Sequence, residues 1–149
     1  MVKISDILKE EFIKCNVEVN NKTEAINLVF KIMQENHAVK PEYLQSMIKR
    51  DEKVSVAIGN LLAIAHGEEN SDNLINHNFI CLIHLKNEIE WDNNLVKVVL
   101  GLAVSRESTM EIIGNIGVAF SDLDEVNKIF KSSDVSPSKI LEWLNSFNE

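Results

Sequence analysis

Residues 61–67 read LLAIAHG, so that five apolar residues lead directly into a histidine and a glycine. An uninterrupted apolar run of this length is typical of a strand that is buried on both faces of a sheet. Gly67 allows the backbone to turn sharply directly after His66. The segment therefore predicts a core strand that delivers His66 to a loop at the rim of a rigid sheet.

Two more apolar runs follow, at residues 79–85 and 96–104. Both are rich in branched side chains and short enough to be core strands. The residues between them, 86–94, are polar apart from Ile89 and Trp91, and we expect them to form a turn.

Helical periodicity precedes these strands. Apolar residues recur at helical spacing from Thr23 to about residue 36, and the Thr23 hydroxyl is the expected cap of that helix. A second helix is expected to begin at Pro41, because proline is well suited to a first helical turn.

Helical periodicity also follows the strands, over residues 110–120 and 123–130. The last helix is expected to open with Ser136 as its cap and Pro137 in its first turn. Helices, then strands, then helices around one core predict an α/β fold, a three-layer α/β/α sandwich with a central mixed sheet flanked by helices. The order of the strands stays open.

Composition narrows the class of protein. The chain has 149 residues, of which 45% are apolar and 26% charged, and no linker rich in glycine, serine or proline, so we expect a single domain over residues 1–149.

Its formal net charge of -8 argues against binding to nucleic acid or to an anionic membrane surface. No apolar stretch approaches the roughly 20 residues that span a bilayer, and Cys15 and Cys81 form no motif. We therefore expect a cytoplasmic protein without direct membrane insertion.

The four histidines differ in their surroundings. His37 at a helix end, His77 in a polar loop and His84 at a strand end are each expected to have no role in function. The spacing of His66 and Glu68 suits neither a helical nor a zinc-type ligand pair, so no metal site is expected. Taken alone, His66 is better explained by a structural role than by a functional one.

A resemblance to a known family changes that interpretation. The segments that carry it are YLQSMIKRDE at 43–52, GNLLAIAHG at 59–67, EWDNNLVKVVLGLA at 90–103 and IGVAFS at 116–121. They resemble the mannitol- and fructose-type enzyme IIA of the bacterial phosphoenolpyruvate-dependent sugar phosphotransferase system, and the mannitol branch most closely. The resemblance keeps its register from about residue 20 to the C-terminus.

The resemblance implies a phosphocarrier. His66 would accept a phosphoryl group from the small carrier protein phospho-HPr and pass it to a cysteine of a IIB domain during uptake of a mannitol-like polyol. Arg50 would stabilise the phosphoryl group, with Gly67 and Thr109 as further candidate site residues. The sugar would be bound by the membrane component rather than by this domain, and no metal or organic cofactor is implied.

Three positions depart from the family pattern. Ala65 stands where a proline usually precedes the histidine, which is expected to loosen the approach of the strand to the site. Glu68 stands where the mannitol branch has threonine, and its carboxylate is expected to raise the pKa of His66 and to disfavour a phosphoryl group there. Thr109 replaces a second histidine and brings no positive charge. These departures leave two alternatives open: a regulatory IIA relative that senses phosphorylation state or binds a protein partner, and an interaction module whose histidine is never modified.

Overall fold

A five-stranded mixed sheet forms the centre of the computed structural model, which describes residues 3–148. The strand order is β1-β4-β5-β3-β2. β1 pairs with β4, and β3 with β5, in parallel, whereas β4 with β5 and β2 with β3 are antiparallel. The strands are β1 (Ile13–Val17), β2 (Ala57–Gly59), β3 (Leu61–Ala65), β4 (Phe79–Trp91) and β5 (Asn94–Ala103).

Helices cover both faces of this sheet. They are α1 (Ile4–Ile7), α2 (Lys22–Glu35), α3 (Tyr43–Lys53), α4 (Arg106–Ala119), α5 (Leu123–Phe130) and α6 (Pro137–Asn145), with short 3-10 turns at Glu10–Phe12, Asp72–Leu74 and Ser146–Asn148. One apolar core lies between the sheet and α2 with α3, and a second lies between the opposite face and α1, α4, α5 and α6. The predicted three-layer α/β/α sandwich with a central mixed sheet is therefore confirmed.

β3 shows why an unbroken apolar run forms a strand here. Leu62 and Ile64 point into one core, and Ala63 and Ala65 point into the other. All five residues of the strand are buried, because successive side chains of a strand alternate between two covered faces.

One helix lies unusually close to the sheet. A Cβ atom at Gly101 would lie 2.2 Å from Cγ1 of Val29, so only glycine at this point of β5 lets α2 pack directly on the strand. Gly101 pairs with Ala65 of β3, so this contact lies beside the residue that precedes His66.

The predicted turn over residues 86–94 is wrong. β4 continues to Trp91, with Ile89 and Trp91 buried and the residues between and before them more exposed, so the period-two pattern of a strand runs through the segment. The reversal needs only Asp92 and Asn93, whose φ angles of 50° and 72° are those of a tight two-residue hairpin turn. β5 accordingly begins at Asn94 rather than at residue 96.

Two predicted helix starts also need correction. Asn21, not Thr23, caps α2, since its side-chain oxygen accepts a hydrogen bond from the backbone N–H of Glu24 at 2.9 Å. Pro41 lies in a turn before α3, which begins at Tyr43. The predicted cap of the last helix is confirmed, because the Ser136 hydroxyl accepts from the backbone N–H of Lys139.

Two edge strands were not predicted. β1 has one buried residue among partly exposed ones, and β2 has only three residues, none of them buried. Short edge strands carry a weak hydrophobic pattern because one side of each borders solvent. Within residues 3–148, no helix is long and apolar enough to cross a bilayer.

Candidate functional site

A cleft of about 450 Å³ opens at the carboxyl ends of the parallel strands β3 and β5. His66 lies on its wall directly after β3, Arg50 comes from the last turns of α3, and Arg106 and Thr109 come from the first turn of α4. The carboxyl edge of parallel strands is where α/β proteins usually bind ligands, because the loops that follow the strands converge there. The four residues that sequence reasoning put forward all line this one cleft: His66, Arg50, Gly67 and Thr109.

A larger and more open depression of about 610 Å³ lies elsewhere, beside Phe12 and Phe79. Its histidine, His77, has both ring nitrogens within hydrogen-bond distance of backbone carbonyls, those of Asn36 and Asn78. The smaller cleft combines a histidine with arginines and is therefore the better candidate.

His66 is held in one orientation by its own strand. Its Nδ1 lies 2.9 Å from the carbonyl oxygen of Ile64. A carbonyl only accepts hydrogen bonds, so Nδ1 carries the proton and Nε2 of the neutral ring keeps a free lone pair. The arrangement leaves a single nitrogen available as a nucleophile.

The protonation of His66 follows from its surroundings. Burial lowers the pKa of the ring from its ordinary value, and the positive charge of Arg50 lowers it further, whereas the hydrogen bond to Ile64 acts in the opposite direction. The net pKa is lowered, so the ring is neutral at pH 7 and Nε2 is free to attack an electrophile.

The loop after His66 is fastened by α3. The backbone N–H of Gly67 donates to the Tyr43 hydroxyl at 2.9 Å, and that hydroxyl donates to the carbonyl of Leu102 at 2.8 Å. The backbone N–H of Glu68 donates to Oγ of Ser46 at 2.8 Å. Burial raises the pKa of Tyr43, which keeps its hydroxyl protonated and able to donate. Helix, loop and strand β5 are joined through one buried phenol.

Gly67 fits this arrangement because it has no side chain. A Cβ atom there would lie 2.6 Å from Cε1 of Tyr43 and 2.9 Å from Oγ of Ser46. The close approach of the loop to α3 therefore requires glycine, which gives Gly67 a steric role beside the site.

Arg50 is half-buried and is itself anchored. Its Nη1 donates to the carbonyl of Val54 at 2.8 Å, just beyond the end of α3. The adjacent Asp51 is buried and accepts hydrogen bonds from the backbone N–H of Val56 at 3.0 Å and from Nε1 of Trp91 at 2.9 Å. Nζ of Lys22 lies 2.9 Å from the other carboxylate oxygen of Asp51. Asp51 thus ties the end of α3 to the sheet, a role that the sequence did not reveal.

The expected rise in the pKa of His66 beside Glu68 is wrong. The Glu68 carboxylate pairs with Nζ of Lys53 at 2.7 Å, and this hydrogen bond lowers its own pKa. The pKa of His66 is lowered rather than raised, because burial and the positive charge of Arg50 outweigh the hydrogen bond to Ile64. Glu68 lines the cleft, but its carboxylate is already paired with a lysine of α3.

Thr109 lines the cleft, but its hydroxyl is engaged. Oγ1 donates to the carbonyl of Ser105 at 2.9 Å, one helical turn earlier. Such a bond to the preceding turn is common for threonine in helices and satisfies its one proton locally. Thr109 therefore contributes shape to the site and no charge.

Ala65 is buried and pairs with Gly101, so the sheet continues up to the residue before His66.

Sequence reasoning missed Arg106 and Asp72 at this site. Arg106 opens α4, and its backbone N–H donates to Oδ1 of Asp72 at 2.9 Å, while its Nη2 lies 3.4 Å from Oε2 of Glu69. Arg106 follows a predicted core strand, but the parallel pairing of that strand with β3, which brings Arg106 to the site, could not be read from the sequence.

The other histidines lie outside the cleft. His84 is buried, accepts from the backbone N–H of Asn16 through Nδ1 and bonds the carbonyl of Phe130 through Nε2. His37 is exposed at the end of α2, with a φ of 57°. Neither lines the cleft of His66.

Comparison with known proteins shows which family this chain resembles. The family model for "Phosphoenolpyruvate-dependent sugar phosphotransferase system, EIIA 2" matches residues 6–146. The mannitol-specific phosphotransferase enzyme IIA component of Geobacillus stearothermophilus is 33% identical over 143 residues, covering 95% of this chain and 97% of that protein. The enzyme of the same name from Mycoplasma pneumoniae is 36% identical over 133 residues, covering 89% of this chain and 93% of that protein.

Solved structures agree on the fold. A chain in the solution structure of the complex of enzyme IIAMTL and phosphorylated enzyme IIBMTL from Escherichia coli superposes with a TM-score of 0.83, at 20% identity, over 93% of this chain and 97% of that one. The resemblance stated from the sequence is thereby confirmed. This chain belongs to the EIIA 2 family of the phosphoenolpyruvate-dependent sugar phosphotransferase system.

Proposed function

We propose that Nε2 of His66 accepts a phosphoryl group from phospho-HPr and passes it to a cysteine of a IIB domain during uptake of a mannitol-like polyol. As a IIA component, the chain is a phosphotransferase component of that system. The observation that carries the proposal is the hydrogen bond between Nδ1 of His66 and the carbonyl of Ile64, because it leaves Nε2 as the free nucleophile in a cleft that also holds Arg50.

The transfer balances without a cofactor. The lone pair of Nε2 forms a bond to phosphorus as the bond between phosphorus and the donor's histidine nitrogen breaks, and that nitrogen keeps the electron pair. The proton stays on Nδ1 of His66, which donates a hydrogen bond to the Ile64 carbonyl throughout. In the second step a cysteine thiolate attacks the phosphorus and His66 leaves as a neutral ring.

Arg50 stabilises negative charge and takes no part in bond making or proton transfer. The transition state of phosphoryl transfer is largely metaphosphate-like, so catalysis consists of positioning and of stabilising charge on the equatorial oxygens. The guanidinium of Arg50 is near enough to lower the pKa of His66. Its planar fork suits two phosphoryl oxygens.

The substrate class and the partners are taken from relatives. Mannitol is the sugar named for the enzyme IIA relatives, and a IIB domain is the partner in the E. coli complex. HPr is the donor that the system implies. We further propose that the chain acts in the cytoplasm, as one IIA domain over residues 1–149, and that the sugar is bound by another component.

The direct test is phosphorylation by purified components. The chain is incubated with enzyme I, HPr and phosphoenolpyruvate, and its intact mass is measured. We expect the mass to rise by one phosphoryl group in the wild type and in His77→Ala, and not in His66→Ala. The exposed His77 is a matched control because it lies outside the cleft. A wild type that gains no mass would refute the proposal.

Adding the IIB domain then separates transport from regulation. In a carrier, the phosphoryl group moves on to the IIB cysteine and the IIA mass returns to its starting value. A phosphoryl group that stays on His66 would instead support the regulatory alternative.

Arg50 is tested by the rate of the first step. We expect Arg50→Ala to slow phosphorylation by roughly ten-fold or more, the size expected for one lost charge-assisted hydrogen bond. Lys49→Ala is the matched control, since Lys49 is exposed and does not line the cleft. Equal rates for the two variants would remove Arg50 from the site.

A further inference from the structure

The cleft of His66 holds a second arginine that the proposed function has not used. Two cations and three carboxylates line it: Arg50, Arg106, Glu68, Glu69 and Asp72. A phosphohistidine would add nearly two negative charges to this set. Arg50 and Arg106 are the cationic side chains among the lining residues, so Arg106 is the second group at the cleft that can offset this charge.

The carboxylates are engaged to different degrees. Glu68 is paired with Lys53, and Asp72 accepts from the backbone N–H of Arg106. Glu69 pairs with the side chain of Arg106 at 3.4 Å, and the two side chains are 78% and 65% exposed. An ion pair this exposed contributes little to stability and is easily exchanged.

The backbone of Arg106 is held in place, whereas its guanidinium lies exposed and has only the exposed Glu69 as an ion-pair partner among the described residues. Ser105 caps α4 by accepting from the backbone N–H of Ser108, and Asp72 holds the backbone N–H of Arg106 itself. The long side chain therefore extends from a held backbone on the rim of the cleft. Thr109, one turn further along α4, has its hydroxyl bonded to Ser105 and offers no charge.

We propose that Arg106 is a second phosphoryl-binding residue, which Glu69 holds in the unphosphorylated protein and which exchanges this partner for a phosphoryl oxygen when His66 is modified. The inference rests on the proposed function, because it requires a phosphoryl group on His66. Glu69 accordingly competes with the phosphoryl group for the guanidinium of Arg106. Removal of the Glu69 carboxylate favours the phosphorylated state. No covalent bond forms or breaks in the exchange.

The test uses the phosphorylated protein freed from its donor, so that docking of a partner plays no part. Wild type, Arg106→Gln, Glu69→Gln and Lys86→Gln are phosphorylated with HPr, enzyme I and phosphoenolpyruvate, purified, and titrated by ³¹P NMR. Lys86→Gln is the matched control, because Lys86 is an exposed cation paired with an exposed Glu18 and does not line the cleft. All four chains are checked for an unchanged melting temperature.

We expect the pKa for the last ionisation of the phosphoryl group to rise by about half a pH unit in Arg106→Gln, because a positive charge is lost. The same pKa is expected to fall in Glu69→Gln and to stay unchanged in Lys86→Gln. Transfer from HPr is expected to slow about three- to ten-fold in Arg106→Gln, with partial rescue in Arg106→Lys.

Two results would overturn the inference. The first is a phosphoryl ionisation that is the same in Arg106→Gln as in Lys86→Gln. The second is a slower transfer from HPr with an unchanged ionisation, which would assign Arg106 to partner docking. Failure of the wild type to be phosphorylated on His66 would instead refute the proposed function, and this inference with it.

Discussion

The hydroxyl of Tyr43 accepts a hydrogen bond from the backbone N–H of Gly67 at 2.9 Å and donates one to the carbonyl of Leu102 at 2.8 Å. The phenol therefore connects the loop of His66 to strand β5 through a buried polar atom. Buried donors and acceptors are costly to leave without partners.

Tyr43→Phe tests this connection. Loss of the hydroxyl leaves one N–H and one carbonyl unsatisfied, so we expect the free energy of unfolding to fall by about 1–3 kcal/mol and phosphorylation of His66 to slow. Urea unfolding and the intact-mass assay measure the two effects. Ser121→Ala is the control, because it removes an exposed hydroxyl far from the site and should change stability by less than about 0.5 kcal/mol. A phenylalanine variant as stable and as fast as the control would contradict the assigned role.

Gly67→Ala tests the close approach of the loop to α3. The new methyl group would lie 2.6 Å from the Tyr43 ring, so the loop has to shift and we expect both stability and the rate of phosphorylation to fall. Gly117→Ala is the matched control, since nothing lies within 4 Å of a Cβ there and α4 should gain about 0.5–1 kcal/mol. A Gly67→Ala variant that behaves like the control would show that the loop has room.

The lowered pKa of His66 predicts its pH behaviour. The folded ring resists protonation, so the neutral nucleophile persists below pH 6.5, and stability is lost as pH falls from about 6.5 towards the folded-state pKa because the unfolded chain binds the proton first. An NMR titration of the ring should give a midpoint below 6.5, and Arg50→Ala should move that midpoint upward. A midpoint above 6.5 would mean that a carboxylate such as Glu68 dominates after all.

Asp51→Asn tests the anchor beneath Arg50. The substitution removes a buried negative charge that Lys22 faces and disturbs two hydrogen bonds, so we expect a loss of about 1–3 kcal/mol in the free energy of unfolding, together with slower phosphorylation. Asp92→Asn is the control, because Asp92 pairs with the same lysine at the surface and should cost about 1 kcal/mol or less. Equal losses in the two variants would rule out a special role for Asp51.

Much of the fold could be predicted because its core strands are buried on both faces. Five consecutive apolar residues indicate β3 as a strand. The helical spacing of apolar residues and caps such as Ser136 indicate the helices. The segment around Ile89 was misread because a strand with one exposed face alternates, and two apolar residues among polar ones are equally typical of a turn. The edge strand β1 gave no readable pattern for the same reason.

The site was predictable in part. His66 and Arg50 lie on the same cleft, as the resemblance implied, but Arg106 could not be found by pattern. Its relevance arises because parallel pairing of β3 with β5 brings the ends of two distant strands together. The ion pair between Glu68 and Lys53 could not be predicted either, since it depends on where the fold places one lysine.

The parallel pairing of β3 with β5 also has a consequence during synthesis of the chain. β3 has only the short β2 as a neighbour until β5 has been made, because β4 and β5 follow it in the sequence. Leu102, whose carbonyl accepts the hydrogen bond of Tyr43, is made near the end of β5, and the helix that carries Arg106 emerges from the ribosome later still. A nascent chain that ends before α4 therefore displays His66 without the wall of the cleft that α4 supplies, and the cleft is complete only once most of the chain has been translated.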